Sequence, residues 1–182
     1  MLFKQTKLKG AYIIDIEPKK DGRGFFARSF CRKEFAAAGV KLSIKQSSIS
    51  YNQKRGTLRG LHYQIAPHRE SKLVSCAKGA IYDVIVDLRK NSPTYSQWLG
   101  LELSAENHKM LYIPEGFAHG FQALKDNTIV FYQISEFYHP KSARGLRWDD
   151  PALAIKWPIK NLTMTLKDKS YIFLDSRRSK AR

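Results

Sequence analysis

Residues 56–64, GTLRGLHYQ, combine an apolar strand pattern with two side chains that can do chemistry, Arg59 and His62. The leucines and the tyrosine suit a half-buried β-strand, whereas an arginine and a histidine suit a polar cavity. Because side chains alternate between the two faces of a regular strand, Arg59 and His62 would point to opposite sides. A bulge or kink at the intervening Gly60 would bring both to one site. We therefore expect an irregular strand here that lines a cavity.

Two other strand-like segments place polar side chains in phase with apolar ones. In residues 71–77, SKLVSCA, Lys72 shares a face with a valine and a cysteine, so it lies at a strand end or faces a polar cavity. In residues 128–138, TIVFYQISEFY, the alternation puts Tyr132 and Tyr138 on one face. These tyrosines either pack in the core or present two hydroxyls together.

A third segment, residues 80–89 (AIYDVIVDLR), carries two acidic side chains on a partly apolar face. Asp83 and Asp87 alternate in phase with two isoleucines, which is an unusual pattern for a buried strand. A solvent-exposed face, which is common in antiparallel sheets, is the ordinary interpretation of such a pattern.

A second histidine follows a tight turn in residues 113–122, IPEGFAHGFQ. The spacing P-x-G-x-x-H, ending at His119, resembles the second conserved motif of the cupin superfamily, whose fold is a jelly roll or double-stranded β-helix. Metal-binding cupins also carry a first motif with two histidines one residue apart and a following glutamate. Here His62 has no second histidine beside it, and His68 lies too far along the chain to replace one. We therefore expect a cupin with no metal.

A polar pocket without a metal must supply its own acid–base chemistry. His62 can act as the base, and either Tyr132 or Tyr138 can act as the acid. Lys72 can supply a fixed positive charge, and an aspartate can orient the histidine. This set suits removal of a proton next to a carbonyl, since the cation stabilises the enolate oxygen and the phenol returns a proton. A base and an acid on opposite faces would invert the carbon centre.

The elements that must position these residues are mostly strands. Nine segments rich in β-branched or aromatic residues are separated by Gly, Pro, Asn and Asp. The predicted strands lie at 11–17, 24–30, 43–51, 71–77, 80–89, 99–104, 109–114, 117–124 and 128–138. Residues 32–39 form the one good helix candidate before the tail, with Gly39 as its stop, and residues 148–158 break the strand rhythm. The pattern predicts an all-β, cupin-type jelly roll with short peripheral helices.

Length and composition indicate one soluble domain. The 182 residues are 43% apolar and 12% aromatic, which excludes a disordered protein. We predict a single domain over residues 1–176 and a basic tail over 177–182. We see no apolar run of membrane-spanning length and no secretory signal at the N-terminus. Cys31 and Cys76 fit no metal motif and suggest reduced thiols, so we expect a cytoplasmic protein with no membrane partner.

The net charge of +16 makes nucleic acid a hypothesis to consider. The basic residues are spread along the whole chain, however, and the tail is their one dense cluster. We interpret most of this charge as a general field that favours solubility and smaller anions such as a nucleoside diphosphate. We therefore expect no nucleic-acid partner.

Ordered motifs along the chain resemble the dTDP-4-dehydrorhamnose 3,5-epimerase family. They are DGRGFF, GTLRGLHYQ, KLV, DVIVDLR, SPTY, IPEGFAHGF, FYQISEFYHP, WDDPALAIKWP and LKD, from about Leu8 to Asp168. The resemblance implies a cupin-type homodimer that needs no metal or organic cofactor. It also implies the reaction, C3 and C5 inversion of dTDP-4-keto-6-deoxyglucose in the route to L-rhamnose.

The resemblance implies a role for each matching residue. The catalytic set is His62 as base, Asp168 as its orienting carboxylate, Tyr132 as general acid and Lys72 near the enolate oxygen. Substrate contacts are expected from Arg23, Arg59, His119 and Lys167, with Asp83 in the pocket wall and Tyr138 on the face of Tyr132. Arg59 and His62 would then line one substrate cavity, the first for binding and the second for proton abstraction.

Three positions depart from the family pattern. Arg28 occupies a slot that usually holds a carboxylate, and Ala143 replaces an expected glutamate. The usual Gln-x-Asn motif that binds the nucleotide base has Gln46 in its first position and Ser48 in its last, so the asparagine is lost. We expect a more basic nucleotide end of the pocket, with Arg28 either paired to a phosphate or solvated. The proton chemistry is expected to be intact, and the sugar or nucleotide can differ from the usual one.

Several alternatives stay open at this point. An enzyme that inverts C3 or C5 alone, or that uses another nucleotide, would carry the same His–Tyr pair. A cupin module that binds a nucleotide sugar without turnover predicts the loss of His62, Tyr132 or Asp168, and all three are present. A polyanion-binding protein would have no role for Tyr132, and its affinity for nucleic acid would fall steeply with salt.

Overall fold

The computed structural model describes residues 1–174, which form thirteen strands and two short helices. In chain order the first elements are β1 (Leu2–Gln5), β2 (Tyr12–Asp15), β3 (Lys19–Asp21), β4 (Gly24–Phe26), α1 (Arg32–Ala37), β5 (Gln46–Asn52), β6 (Leu58–Gln64) and β7 (Lys72–Lys78). They are followed by β8 (Ala80–Asp87), β9 (Trp98–Ser104), β10 (Met110–Ile113), β11 (Phe117–Ala123), β12 (Thr128–Ile134), β13 (Ala143–Gly145) and α2 (Leu166–Lys169). The predicted tail, 177–182, lies outside the described residues.

Two antiparallel sheets face each other. One has the strand order β1-β2-β10-β7-β12-β5, and the other has the order β13-β6-β11-β8-β9. Strands β3 and β4 form a separate two-stranded sheet. Apart from the consecutive pairs β1–β2 and β8–β9, neighbouring strands in the two large sheets are not consecutive in the chain, as is typical of a jelly roll. The predicted all-β, cupin-type fold with short helices is confirmed.

The main core lies between the two sheets. It takes Val74 from β7 and Val130 from β12 on one side, and Ile81, Ile85 and Phe121 from β8 and β11 on the other. The outer face of the five-stranded sheet is also covered, because the irregular segment 148–158 packs there. Helix α1 covers part of the other sheet with Phe35, and Gly39 ends the helix at φ +74° as expected.

Both faces of β8 are buried, and its two aspartates are buried with them. Asp83 and Asp87 are both completely buried, so the interpretation of their face as solvent-exposed was wrong. Asp87 accepts hydrogen bonds from Arg89, Ser92 and Thr94, which ties the loop after β8 to the end of the strand. Burial raises the pKa of Asp87, but these hydrogen bonds outweigh it and lower the pKa to about 2.

This lowered pKa predicts a loss of stability in acid. A carboxyl whose folded pKa lies below its unfolded value stabilises the protein above the unfolded value and stops doing so as the pH falls through the folded one. The Arg89 guanidinium is about a third exposed, so solvent screens the pair and Asp87 should contribute about 1–2 kcal/mol above pH 4. Urea unfolding should show this part of the stability disappearing between about pH 4 and pH 2.

The variant Asp87→Asn should lower the free energy of unfolding at neutral pH and remove that part of the acid dependence. Asp21→Asn is a matched control, because Asp21 pairs with an arginine in an exposed hairpin and should matter little. An unchanged acid profile in Asp87→Asn would contradict the assignment.

The strand boundaries correct two expectations. Strand β12 ends at Ile134, so strand alternation does not reach Tyr138. Strand β4 ends at Phe26 rather than at residue 30, because the chain turns towards α1 there. The short strands β1, β3 and β13 and the helix α2 were not predicted. Neither helix in residues 1–174 has the length or apolar character needed to cross a membrane.

Candidate active site

A cavity of about 450 Å³ lies between the two sheets. Strands β5, β7 and β12 of one sheet and β6 and β11 of the other supply its lining. The polar residues of that lining include Ser48, Arg59, His62, Lys72, His119 and Tyr132. All six had been singled out from the sequence, so the fold brings together residues that are far apart in the chain.

The irregularity expected in β6 is present. His62 pairs with His119 of β11 and Arg59 pairs with Phe121, so three steps along β6 match two steps along β11. The extra residue forms a bulge at Gly60, whose φ of +127° is accessible to glycine. Arg59 and His62 can therefore line the same cavity despite their opposite parity, as predicted.

His62 is held by a carboxylate from the C-terminal part of the chain. Its Nε2 atom lies 2.7 Å from Oδ1 of Asp168 in α2, and the Thr165 hydroxyl caps that short helix by accepting from the Asp168 N–H. Burial raises the pKa of Asp168, but the hydrogen bond and charge of His62 outweigh it, so the pKa is lowered. The aspartate is thus ionised at neutral pH and fixes the orientation of the imidazole.

Lys72 lies at the start of β7 with only 8% of its surface exposed. Its ammonium forms an ion pair of 2.8 Å with Glu70, and the Gln64 side-chain amide donates to the other oxygen of that carboxylate. A buried ammonium needs such a partner to keep its charge. Glu70 was not recognised from the sequence, although its position two residues before Lys72 was a usable signal.

Tyr132 and His119 both line the cavity from opposite sheets, and their rings pack edge to face with centroids 6.0 Å apart. Burial, helped by the negative charge of Asp83, raises the pKa of Tyr132 well above its usual range, while Arg59 opposes the shift. The phenol is therefore neutral and can donate a proton. Asp83 was expected in the cavity wall, but it does not line the cavity. It lies behind His119 and binds the Nε2 atom of that histidine at 2.7 Å.

Neighbouring residues position Arg59. Its Nε donates to the Asn52 side chain at 2.9 Å, and one terminal nitrogen donates to the Tyr51 carbonyl at 3.3 Å. Both partners belong to β5, so contacts between the two sheets fix this guanidinium. Asn52 carried no signal that distinguished it in the sequence.

A second cavity of about 280 Å³ shares His62 and Ile134 with the first. Its lining also includes Gln46, Tyr138, Ala143, Lys167 and Tyr171. Tyr138 enters this cavity from the loop after β12, where the Gln46 side chain accepts from its backbone N–H. The prediction that Tyr138 shares a strand face with Tyr132 was therefore wrong, although both contribute to adjoining cavities. Tyr171, whose ring edge packs near His62, had not been identified from the sequence.

Two predicted substrate contacts are not brought to these cavities within one chain. Arg23 lies in the β3–β4 turn, is 91% exposed at its side chain and pairs with Asp21. Arg28 follows the same hairpin and forms a 2.7 Å ion pair with Glu34 of α1. Its charge is thereby offset, so within one chain Arg28 does not make the pocket more basic.

The cavity-lining residues form no group of three candidate metal ligands within the part of the chain that the structure describes. The two histidines of the cavity make separate hydrogen bonds instead, His62 with Asp168 and His119 with Asp83. The arrangement gives a neutral phenol, an oriented imidazole and a buried ammonium around one space, which suits proton transfer at carbon next to a carbonyl.

Comparison with known proteins decides the family. The family model for dTDP-4-dehydrorhamnose 3,5-epimerase matches residues 5–176. The chain belongs to the dTDP-4-dehydrorhamnose 3,5-epimerase family. A relative of that name from Shigella flexneri is 46% identical over 159 residues, which cover 86% of this chain and 87% of the relative.

Solved structures agree with this membership. The epimerase from Bacillus anthracis, solved with TDP and PPi bound, has a TM-score of 0.93 and 43% identity, covering 95% of this chain and 99% of that one. The dTDP-6-deoxy-D-glucose-3,5-epimerase from Legionella pneumophila, solved with dTDP-4-keto-L-rhamnose, has a TM-score of 0.90 and 38% identity. That match covers 96% of this chain and 93% of the Legionella chain.

Two of the three departures from the epimerase family pattern lie at the cavities. Ser48 lines the larger cavity and pairs with Tyr132 across β5 and β12. Ala143 lines the smaller one and pairs with Gln64. Both are small side chains, so each takes up little of the cavity wall.

Proposed function

We propose that this chain converts dTDP-4-dehydro-6-deoxy-D-glucose to dTDP-4-dehydro-L-rhamnose by inverting C3 and C5, an isomerase reaction. One observation carries the proposal: His62, held by ionised Asp168, lines the same cavity as the neutral phenol of Tyr132 and the ammonium of Lys72. The relatives with this name and the ligand of the Legionella structure support the substrate class.

The hydrogen bond that His62 already makes indicates which of its two ring nitrogens acts as the base in the proposed mechanism. Asp168 holds Nε2 of His62, so Nδ1 is the nitrogen that removes the carbon-bound proton next to the C4 carbonyl. The electron pair of the broken C–H bond moves onto the carbonyl oxygen, and Lys72 stabilises the resulting enolate. Tyr132 then donates its phenolic proton to the opposite face of the carbon. Solvent removes the proton from His62 and restores the one on Tyr132 before the next inversion.

Cationic groups around the cavities are proposed to bind the nucleotide part of the substrate. Arg59 lines the larger cavity and Lys167 the smaller one, and both can pair with phosphate oxygens. His119, oriented by Asp83, is proposed to contact the sugar. Gln46, Ser48 and Tyr138 lie where the rest of the nucleotide sugar would extend.

The test is proton NMR in D₂O with dTDP-4-keto-6-deoxyglucose and chelator-treated protein. Deuterium at both C3 and C5, with an L-rhamnose-configured product after reduction, is the expected result. Deuterium at C3 or C5 alone would replace the proposal with a mono-epimerase. If no exchange occurs with this substrate, other nucleotide carriers must be assayed, and inactivity with all of them would favour a binding module.

The variant Tyr132→Phe separates the two halves of this mechanism. Removing the phenol should lower completed inversion by about 10²-fold, the ordinary contribution of a general acid. Exchange of the substrate proton with D₂O should persist, since His62 still removes and returns protons on its own face. Parallel NMR and product assays measure the two rates. Equal losses of both would contradict Tyr132 as the proton donor.

We also propose that the enzyme is a homodimer. Residues 17–26 are all exposed in one chain, and the exposed side chains include Phe25 and Phe26. Ile49 on the edge strand β5 is exposed as well, so apolar surface is available for a partner copy. In such a dimer Arg23 and Arg28 can serve the partner's cavity, which would reconcile their predicted role with their distance from the cavities of their own chain.

The free thiols Cys31 and Cys76 accord with a cytoplasmic location.

A mixing experiment tests a site shared between two copies. Arg23→Ala and His62→Asn should each lower activity when assayed alone. After the two variants are mixed and exchange subunits, some dimers should contain one cavity with both residues intact, so activity should recover. No recovery, despite subunit exchange shown by native mass spectrometry, would contradict the shared site.

A further inference from the structure

Three metal-ligating side chains form a cluster that the proposed reaction does not use. His68 lies in the loop after β6, and Glu136 and His139 lie in the loop after β12. Their candidate ligand atoms all lie within 4.8 Å of one another. The rings of His68 and His139 are stacked, with centroids 3.4 Å apart. None of the three residues lines the two cavities described above.

A buried side chain holds both loops in place. Gln64 donates from Nε2 to the carbonyls of His68 and Phe137, at 3.1 and 3.0 Å. Its Oε1 accepts from the backbone N–H of His139 at 2.7 Å. One glutamine therefore fixes the main chain of both histidine-bearing loops, so little conformational entropy remains to be lost when a ligand joins them.

Glu136 offers an oxygen ligand beside the two imidazoles. Its Oε1 accepts from the Lys45 ammonium at 2.7 Å and from the Phe137 N–H at 2.8 Å. The carboxylate has a second oxygen besides the one that these donors occupy.

We propose that His68, His139 and Glu136 bind one Zn²⁺ ion, with water in the fourth position. Two imidazoles and a carboxylate form a donor set that zinc accepts in tetrahedral geometry, whereas Mg²⁺ and Ca²⁺ prefer oxygen ligands alone. The stacked rings must turn about their Cβ–Cγ bonds so that the two nitrogen lone pairs converge on the ion. Both rings are only partly buried, which leaves room for that rotation.

The site would join the loop after β6 to the loop after β12. Gln64, which holds both loops, also donates to Glu70, the partner of Lys72. A bound ion would therefore cross-link segments that border the proposed active site without contacting the reacting atoms. Because zinc would bind the folded chain and find no such cluster in the unfolded one, it should raise the thermal midpoint.

Calorimetric titration of untagged, full-length protein with ZnCl₂ tests the proposal independently of enzyme activity. One ion per chain is expected, with at least tenfold weaker binding in His68→Asn and in His139→Asn. His108→Asn is the matched control, since His108 is a histidine outside the cluster and asparagine tolerates its positive φ. His62→Asn should also bind normally, which separates this site from the active site. Loss of binding in either control, or unchanged binding in the cluster variants, would overturn the proposal.

A measurement on the unaltered protein covers the case in which a variant fails to fold. X-ray absorption at the zinc edge should show two imidazole ligands and an otherwise oxygen environment. A first shell with fewer than two imidazoles would overturn the site. So would a thermal midpoint and a calorimetric trace that do not respond to zinc.

Discussion

His62→Asn is expected to lower kcat by about 10³-fold, within the usual contribution of a positioned general base. Asparagine is polar and smaller than histidine, but it lacks a ring nitrogen at the Nε2 position, so the basic nitrogen and the hydrogen bond to Asp168 are both lost. Affinity for dTDP, measured by calorimetry, should change little, because the proposed phosphate contacts come from other residues. The activity is measured as product formation and as exchange of the substrate proton with D₂O.

The matched control is His108→Asn, which makes the same replacement outside the cavities and should leave turnover unchanged. Two results would contradict the assignment of His62. The first is retained exchange at both carbons, which would require a different base. The second is a loss of dTDP binding that accounts for the whole loss of activity.

Gly60→Ala is expected to destabilise the fold by about 3 to 5 kcal/mol, because two separate costs add. The residue has a φ of +127°, which alanine adopts only under strain. An added Cβ would also lie 2.5 Å from the Gly120 Cα and 3.0 Å from the His119 carbonyl oxygen. Those atoms belong to the main chain of the neighbouring strand, so they cannot move aside as a flexible side chain would. Urea unfolding measures the effect.

Gly24→Ala isolates the conformational part of that cost. Gly24 has a similar φ of +133°, but nothing lies within 4 Å of a Cβ built there. We expect it to cost about 1 to 3 kcal/mol from backbone strain alone. If the two variants were equally stable, close contact between β6 and β11 would not be what requires glycine at position 60.

The sequence predicted much of the candidate active site because strand alternation and residue chemistry are local properties. Gly60 marked the irregularity that lets Arg59 and His62 meet, and the structure confirms a bulge there. Lys72 in an otherwise apolar strand left open a strand end or a polar cavity, and in the structure it begins β7 and lines a cavity. The resemblance to the family paired His62 with Asp168 across 106 positions, and the two are in hydrogen-bond contact.

Other residues depended on contacts between distant segments, which strand periodicity does not encode. Asp87 seemed exposed, but the face of β8 that it shares with Ile81 and Ile85 packs against the opposite sheet. Alternation along the predicted strand put Tyr138 on the same face as Tyr132, but β12 ends four residues before Tyr138.

By itself, the sequence determined the all-β class, the family and the residue types available for proton transfer, because these follow from local patterns and ordered motifs. Tertiary structure alone decided which side chains share one space: it placed Asp83 behind His119, paired Arg28 with Glu34 and left Arg23 away from the cavities of its own chain. The physical reason is that strand pairing in a jelly roll joins segments far apart in the chain. The surroundings of each buried charge are therefore set by the assembled sheets rather than by its neighbours in sequence.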